Sequence, residues 1–357
     1  MGIVGLPNVG KSTLFNALTK SRGADAANYP FCTIEPNTGI VEVPDKRLDA
    51  LAGIVSPEKI IPTTVEFVDI AGLVEGASKG EGLGNQFLAA ISEADAICHV
   101  VRWFNDDDIT HVNGTVDPAR DREVIELELI LSDIDRLEKR TEKVRGAAKT
   151  GDKEKLKELS VCEKILEALK SQKMAQTVTL TDDENIIAKS FQLLTRKPMI
   201  YAVNVSEQDL GVVTPEAAAT KLGLDGQTLI VCAKLEAELI DMSTEDADEL
   251  LESMDIEGAG LDQLIRTAYS TLGYETYFTA GVKEVRAWTI KKGWSAPKAA
   301  SVIHTDFEAG FIRAEVISYD DYIAGNGEKG AKENGKMRME GKEYIVKDGD
   351  VMHIHAN

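Results

Sequence analysis

Gly5-Leu6-Pro7-Asn8-Val9-Gly10-Lys11-Ser12-Thr13 lies almost at the start of the chain and fits G-x-x-x-x-G-K-[ST], the phosphate-binding loop. A short apolar run, Ile3 and Val4, precedes it. A helix-like pattern with Leu14, Phe15, Ala17 and Leu18 follows, so the flanks supply the strand–loop–helix context that the motif needs. Glycines let the backbone curl until successive N–H groups face phosphate oxygens, and the next helix adds the positive end of its dipole. Asn8, Val9, Gly10, Lys11, Ser12 and Thr13 are therefore the candidate phosphate-binding residues. Lys11 would reach the β- and γ-phosphates, and the Ser12 hydroxyl would ligate Mg²⁺.

Outward from the loop, residues 1 to about 118 alternate apolar β-branched runs with helical patterns. The runs include Val65–Val68 and Ala96–Val101, with a helix expected over Asn85–Glu93 between them. That alternation predicts an α/β fold with a mostly parallel sheet and helices on both faces. From Glu123 to about Lys173 there is no proline, and Leu127, Leu131, Ile134 and Leu137 recur at three and four. Leu156, Leu159, Ile165, Leu166 and Leu169 do the same, and Thr150-Gly151-Asp152 is a turn signal between the two stretches. They are expected to form an antiparallel coiled-coil hairpin inserted at about 119–195. The sheet pattern resumes at Pro198–Val203 and Thr228–Cys232. From about Tyr274 the chain turns strand-rich, so the expected division is a nucleotide-binding domain over 1–273 and a small α+β domain over 274–357.

A length of 357 residues suits two or three domains, and the 43% hydrophobic and 28% charged fractions are those of a globular protein. No apolar run approaches the roughly 18–20 residues of a membrane span, and no secretory pattern opens the chain. Cys32, Cys98, Cys162 and Cys232 are scattered, without C-x-x-C spacing, which fits reduced thiols and a cytoplasmic location. The net charge of −20 argues against nucleic-acid binding by the chain as a whole. Residues 120–173 and about 275–357 are nevertheless close to neutral, and Arg136, Lys139, Arg140, Lys143 and Arg145 share the first hairpin helix. Two readings of that helix stand side by side: RNA contact, or a solvated face paired at i,i+4 with Glu138 and Glu142.

Asp69-Ile70-Ala71-Gly72 ends an apolar strand about sixty residues past the phosphate loop. There the Asp69 carboxylate would hold Mg²⁺ through water, and the Gly72 N–H would meet the γ-phosphate. Thr33 lies between the two motifs, where a nucleotide switch closes a threonine over Mg²⁺ and γ-phosphate. Leu73 stands where many GTPases place a water-orienting glutamine, and a glycine-rich stretch, Gly76–Gly84, follows as a candidate switch. His111, in a polar loop beyond a strand end, is the candidate replacement for that glutamine; by spacing alone an exposed loop histidine fits equally. His99, inside an apolar strand, reads as a buried structural residue. The run Asn204-Val205-Ser206-Glu207 stands where GTPases carry N-K-x-D. Val205 lacks the lysine stem that covers guanine, and the Glu207 carboxylate sits one methylene too far out. That leaves adenine readable by backbone groups near Val205, with Cys232-Ala233-Lys234 in the place of the S-A-K loop behind the base.

These residues together resemble the YchF / Obg-like ATPase family, among the Obg-related P-loop GTPases. The resemblance rests on Gly5–Thr13, Asn28–Thr38, Asp69–Gly72 with Leu73, Gly76–Gly84 and Asn204–Glu207. Further on, Arg286–Thr289, His304–Glu308 and Gly310–Ala314 resemble its C-terminal TGS domain. It spans essentially the whole chain. It implies a G domain, an inserted helical hairpin and a ubiquitin-like β-grasp TGS domain. It also implies ATP used at least as readily as GTP, slow Mg²⁺-dependent hydrolysis with His111 as the catalytic histidine, and ribosome association as a conformational switch. In related GTPases an Asn at the position of Asn8 goes with K⁺ as an extra ion. A monomer is the default, and no membrane partner is expected. One departure is the first strand, Gly2-Ile3-Val4, a few residues shorter than the family start; a trimmed or misassigned start would leave it weak. A non-catalytic, nucleotide-gated RNA- or ribosome-binding module and a conventional GTPase are the alternatives.

Overall fold

The structure, a computed structural model, describes residues 1–24, 37–71, 83–106, 108–112, 114–149, 151–224, 226–254, 256 and 260–357. The N-terminal half runs β1 (Gly2–Val4), α1 (Lys11–Arg22), β2 (Thr38–Glu42), α2 (Lys46–Val55), β3 (Lys59–Ile61), β4 (Thr64–Asp69), α3 (Leu83–Glu93) and β5 (Ile97–Arg102). Next come the helices α4 (Pro118–Ala148), α5 (Lys153–Lys170) and α6 (Asp182–Lys189). The sheet pattern returns with β6 (Met199–Asn204), α7 (Pro215–Leu222), β7 (Gln227–Val231), α8 (Ala233–Leu239), α9 (Thr244–Ser253) and α10 (Gly260–Thr271). The C-terminal part comprises β8 (Tyr274–Ala280), β9 (Glu284–Lys291), α11 (Ala296–Ala300), α12 (Asp306–Ala309), β10 (Phe311–Ser318), α13 (Tyr319–Ala324), α14 (Glu328–Glu333), β11 (Arg338–Glu340) and β12 (Asp350–Ala356).

The first six-stranded sheet has the order β2-β4-β1-β5-β6-β7. Its β4, β1, β5, β6 and β7 pair in parallel, as crossover helices require. β1 is three residues long, yet it is bonded to β4 on one side and β5 on the other. Met1 extends that support by accepting a hydrogen bond from Val68 N at 2.9 Å. β5 and β6 are buried along their whole length, so their C-terminal ends, Arg102 and Asn204, stand at a fixed edge of the sheet.

α4 begins with Asp117 as N-cap, accepting from Arg120 N, and Pro118 at its first turn. α5 folds back on it from a second N-cap, Asp152. The hairpin is as expected, and its seam is so only in part. Leu127 and Leu131 are 41% and 38% exposed, and Leu156 is 48% exposed. Leu137 of α4 and Ile165, Leu166 and Leu169 of α5 are buried as expected; the rest of the buried stripe is Ile125, Leu129, Asp133, Thr141 and Val144 on α4, with Val161 and Cys162 on α5. Two polar members hide that stripe from a hydrophobicity pattern. Asp133 is fully buried and accepts from Leu194 N, Thr195 N and Thr195 Oγ1, and Thr141 donates to Leu137 O.

The chain divides into two compact units, the first chiefly Met1–Lys20 and Phe67–Leu261, the second chiefly Gly39–Glu66 and Asp262–Asn357. In the second unit a mixed sheet has the order β11-β10-β12-β8-β9-β3, with β12 parallel to β8, a β-grasp arrangement. Alternate side chains face opposite sides. Tyr277, Trp288, Ile290, Phe311, Val316 and Met352 meet the alanines of α11 on one face. Phe278, Val285, Ala287, Ile317 and Val351 meet Leu48 and Leu51 of α2 on the other. The sequence reading placed residues 39–66 in the nucleotide-binding domain. Here α2 and β3 pack with the second unit, because the apolar stripe of α2 covers the sheet face that a bare β-grasp would leave wet.

Candidate functional site

The loop between β1 and α1 turns through left-handed conformations at Asn8 (φ 62°) and Gly10 (φ 89°). Gly10 is the only choice its surroundings allow: a Cβ there would lie 2.2 Å from Asn204 Nδ2. Lys11 and Ser12 open α1, so the loop's amides sit at a helix N-terminus. Val9 is buried, whereas Asn8, Ser12 and Thr13 are exposed. Lys11 is buried, and its Nζ is ion-paired with Asp69 Oδ1; the other carboxylate oxygen accepts from Ser12 Oγ at 3.3 Å. Asp69 thus draws the lysine and the hydroxyl of the phosphate loop to one carboxylate at the end of β4. Thr33, Gly72, Leu73 and residues 76–82 of the run Gly76–Gly84 lie outside the described residues, and the end of that run, Leu83-Gly84, opens α3.

Asn204, at the end of β6, joins two loops. Its Nδ2 donates to Val9 O at 2.9 Å, and its Oδ1 accepts from Ala233 N at 3.0 Å, with the side chain 4% exposed. Val205 is buried, and its N–H is spent on Val231 O at 2.9 Å, so only its carbonyl is a candidate reader of a base. Glu207 is partnered by Lys234, with Nζ–Oε1 at 2.8 Å. Cys232 and Ala233 are buried behind this loop, and burial pushes the Cys232 thiol up from its ordinary value.

His111 is not an exposed loop residue. It is 6% exposed, and its Nε2 lies 2.6 Å from Oδ2 of Asp121, itself 2% exposed on the first turn of α4. A carboxylate accepts, so Nε2 carries the proton in this bond. Arg120 Nη2 approaches the other Asp121 oxygen at 3.2 Å. Backbone contacts hold the rest of this loop against the phosphate loop: Asn8 Nδ2 donates to Thr110 O at 3.0 Å. Arg102, 1% exposed at the end of β5, donates to Asn8 O, Phe104 O, Asp106 O and Ile109 O. Its guanidinium also lies over the Phe104 ring, 4.4 Å from the centroid, and burial lowers its pKa from the usual arginine value.

Two family profiles match the sequence. One, described as a 50S ribosome-binding GTPase, covers residues 1–133; the YchF-GTPase C-terminal profile, described as a protein of unknown function, covers 274–357. The Ribosome-binding ATPase YchF of Bacillus subtilis is 54% identical over 361 residues, spanning 100% of this chain and 98% of that protein. The protein of the same name from Haemophilus ducreyi is 58% identical with the same coverage. The chain belongs to the YchF family. A solved structure, the YchF GTPase of Schizosaccharomyces pombe, superposes with a TM-score of 0.88 at 38% identity, covering 99% of this chain and 97% of that one. The GTP-binding protein of Pyrococcus horikoshii shares the fold, with a TM-score of 0.60 at 20% identity.

In this YchF member the structure brings Asn8, Lys11, Ser12, Asp69, Asn204 and Ala233 together, as the motifs suggested. It places the loop of His111 against the phosphate loop in space, but with the His111 ring bonded to Asp121 of α4. Sequence reasoning passed over Arg102 and Asp121. Arg102 had a signal, an arginine closing a run of apolar strand residues, where a buried cation must be matched by many acceptors. Asp121 had none, because an acid in the first turn of a helix is ordinary.

Proposed function

We propose that the chain is a cytoplasmic, ribosome-associated ATPase that binds ATP with Mg²⁺ and acts as a nucleotide-dependent switch, with GTP a weaker or equal substrate. The observation that carries the choice of base is at Val205, whose N–H is held by Val231 O, which leaves its carbonyl as the acceptor, and whose side chain cannot cover a guanine as a lysine stem would; Glu207 beside it is paired with Lys234. A guanine site needs a carboxylate free to accept both N–H groups of the base edge. The Val205 carbonyl, by contrast, can accept an adenine amino group.

The donor set around Asp69 fits Mg²⁺: a carboxylate and the Ser12 hydroxyl, 3.3 Å apart, are hard oxygen ligands that leave room for phosphate oxygens and waters. Thr33 would add a further hydroxyl. When bound, Mg²⁺ supplies charge neutralisation between the phosphates. Lys11 would leave Asp69 for the phosphate oxygens, the loop amides from Asn8 to Thr13 would hold them, and the Gly72 N–H would meet the γ-phosphate. His111 would orient the attacking water in the role that Leu73 cannot fill. For K⁺, Asn8 Oδ1 is the ligand at hand, and exchanging K⁺ for Na⁺ in the assay tests it.

Ribosome association is supported by the names of the relatives and by a groove of about 560 Å³ along α4. Arg136, Lys139, Arg140 and Lys143 line it beside Phe191, with Glu158 as its one carboxylate. Lys139 is paired with Asp135 and Arg140 with Glu158, so four cations meet two anions; that net positive balance, on a chain of net charge −20, suits a phosphodiester backbone. The buried His111–Asp121 bond favours a second reading, in which ATP binding alone sets the state and hydrolysis is dispensable. The first test is equilibrium titration with non-hydrolysable ATP and GTP analogues, with Mg²⁺ at one salt concentration. Tighter or equal ATP binding supports the reading; a clear preference for GTP overturns it. Co-sedimentation with ribosomes that persists in His111→Ala would favour the second reading.

A further inference from the structure

We infer that Asp121 is a positioning residue: from the first turn of α4 it holds His111 withdrawn from the phosphate site, so movement of the helical hairpin sets when His111 can act. This rests on the proposed role of His111. A group that orients water has to reach the solvent-filled mouth of the site. Here the His111 ring is 6% exposed and bonded at 2.6 Å to a carboxylate that is 2% exposed. The loop that carries His111 and the His111 ring are held by different elements. The neighbours of His111 are tied by their carbonyls to the phosphate loop, Thr110 O directly by Asn8 Nδ2 at 3.0 Å and Ile109 O through Arg102 of β5, which donates to it at 3.0 Å and to Asn8 O at 3.2 Å. The His111 side chain is tied to α4.

The bond can be released without stranding a charge. Asp121 keeps Arg120 on its other oxygen at 3.2 Å, and Arg120 is itself anchored on Thr115 O at 2.5 Å. The same helix carries the cationic groove from Arg136 to Lys143. Fifteen residues separate Asp121 from Arg136, about 22 Å of continuous helix. A phosphodiester gripping the groove pulls on the element that holds His111. Glu126, one turn beyond Asp121, accepts from Tyr201 OH of β6 at 2.6 Å and so locates α4 on the sheet in the withdrawn state.

The test is ATP turnover by the purified full chain, with and without 70S ribosomes, for wild type, Asp121→Ser, His111→Ala and the double variant. Losing one charge-assisted hydrogen bond shifts such an equilibrium by about tenfold. Asp121→Ser is expected to raise basal kcat by about that factor, leave KM for ATP unchanged, and shrink stimulation by ribosomes correspondingly. The double variant is expected to be no faster than His111→Ala. An unchanged or lower kcat in folded Asp121→Ser overturns the inference while leaving a slow His111→Ala intact. Wild-type turnover in His111→Ala overturns the role of His111 itself. If Asp121→Ser does not fold, nitrogen-15 spectra of the wild-type histidines decide. The hydrogen-bonded Nε2–H of His111 should be seen in the protein with Mg²⁺ and a non-hydrolysable ATP analogue and lost when an RNA oligonucleotide that occupies the α4 groove is added as well; its persistence with the groove occupied overturns the inference.

Discussion

Replacing Asn204 by alanine removes the side chain that joins the phosphate loop to the loop after β7. Two backbone groups lose their partners, Val9 C=O at 2.9 Å and Ala233 N–H at 3.0 Å, in a place only 4% exposed. Each buried group left unpaired costs about 1–3 kcal/mol. With some relief from water, about 2–4 kcal/mol is expected to be lost from ATP binding, or about 30- to 1,000-fold in affinity. Gly10→Ala tests the same contact from the other side. Its Cβ would fall 2.2 Å from Asn204 Nδ2 and must evict that side chain, losing both bonds. It also carries a left-handed φ of 89°, a strain of roughly 1–2 kcal/mol for an L-residue. In the Asn204→Ala background nothing remains to evict, and only the strain is left. The two substitutions are therefore expected to be strongly non-additive: beyond Asn204→Ala alone, the double variant should lose only the strain, about 1–2 kcal/mol, and not the full cost of Gly10→Ala. Titration of the four proteins at one Mg²⁺ and salt concentration, with thermal unfolding as a control for folding, measures this. Costs that add within about 0.5 kcal/mol would refute the reasoning, since independent sites behave that way.

His111→Ala is expected to lower kcat for ATP with KM nearly unchanged, read by phosphate release at saturating ATP. Arg102→Leu removes the donor from four backbone carbonyls and is expected to destabilise the first unit by about 3 kcal/mol, seen as a lowered urea midpoint of the probes in that unit. Burial pushes the Cys98 thiol up to about 12, so Cys98 should resist a thiolate-directed reagent at pH 8 until denaturant is added. His99 is held down at about 3 by burial, with the Arg122 charge acting the same way, and its Nδ1 has no hydrogen-bond partner among the described residues. The unfolded chain takes up a proton on this residue near pH 6.5 while the folded one does not, so His99 contributes a loss of stability as pH falls from about 6.5 towards 3. His99→Phe, beside the Tyr201 ring, is expected to flatten that part of the stability–pH curve.

The phosphate loop, the carboxylate at the end of β4 and the parallel sheet were legible because each writes a local pattern. Glycines at fixed offsets, an acid closing an apolar strand and alternating periods survive in the order of residues alone. The seam of α4 was legible only in part, and the reason is chemical. Asp133 and Thr141 occupy core positions with their polar atoms satisfied by the 194–195 backbone and by Leu137 O, so the pattern shifted to the more apolar but exposed Leu127 and Leu131. The affiliation of α2 and β3 was hidden for a different reason: a sheet face that needs a cover does not say which distant helix supplies it.

The site divides along the same line. Asn204 was read as a base-recognition residue because it sits in that motif, but its side chain is wholly engaged in bracing Val9 and Ala233. What remains for the base is the Val205 carbonyl, since the Val205 N–H belongs to Val231. That argument carries a consequence for specificity. A guanine presents its carbonyl where adenine presents its amino group, so it would set one acceptor against another at Val205. Shortening Glu207 to Asp would free the carboxylate from Lys234 without changing that clash. Glu207→Asp is therefore expected to leave ATP preferred, with competition between the two non-hydrolysable analogues as the measurement. A switch to GTP would show that the acid, and not the backbone, selects the base.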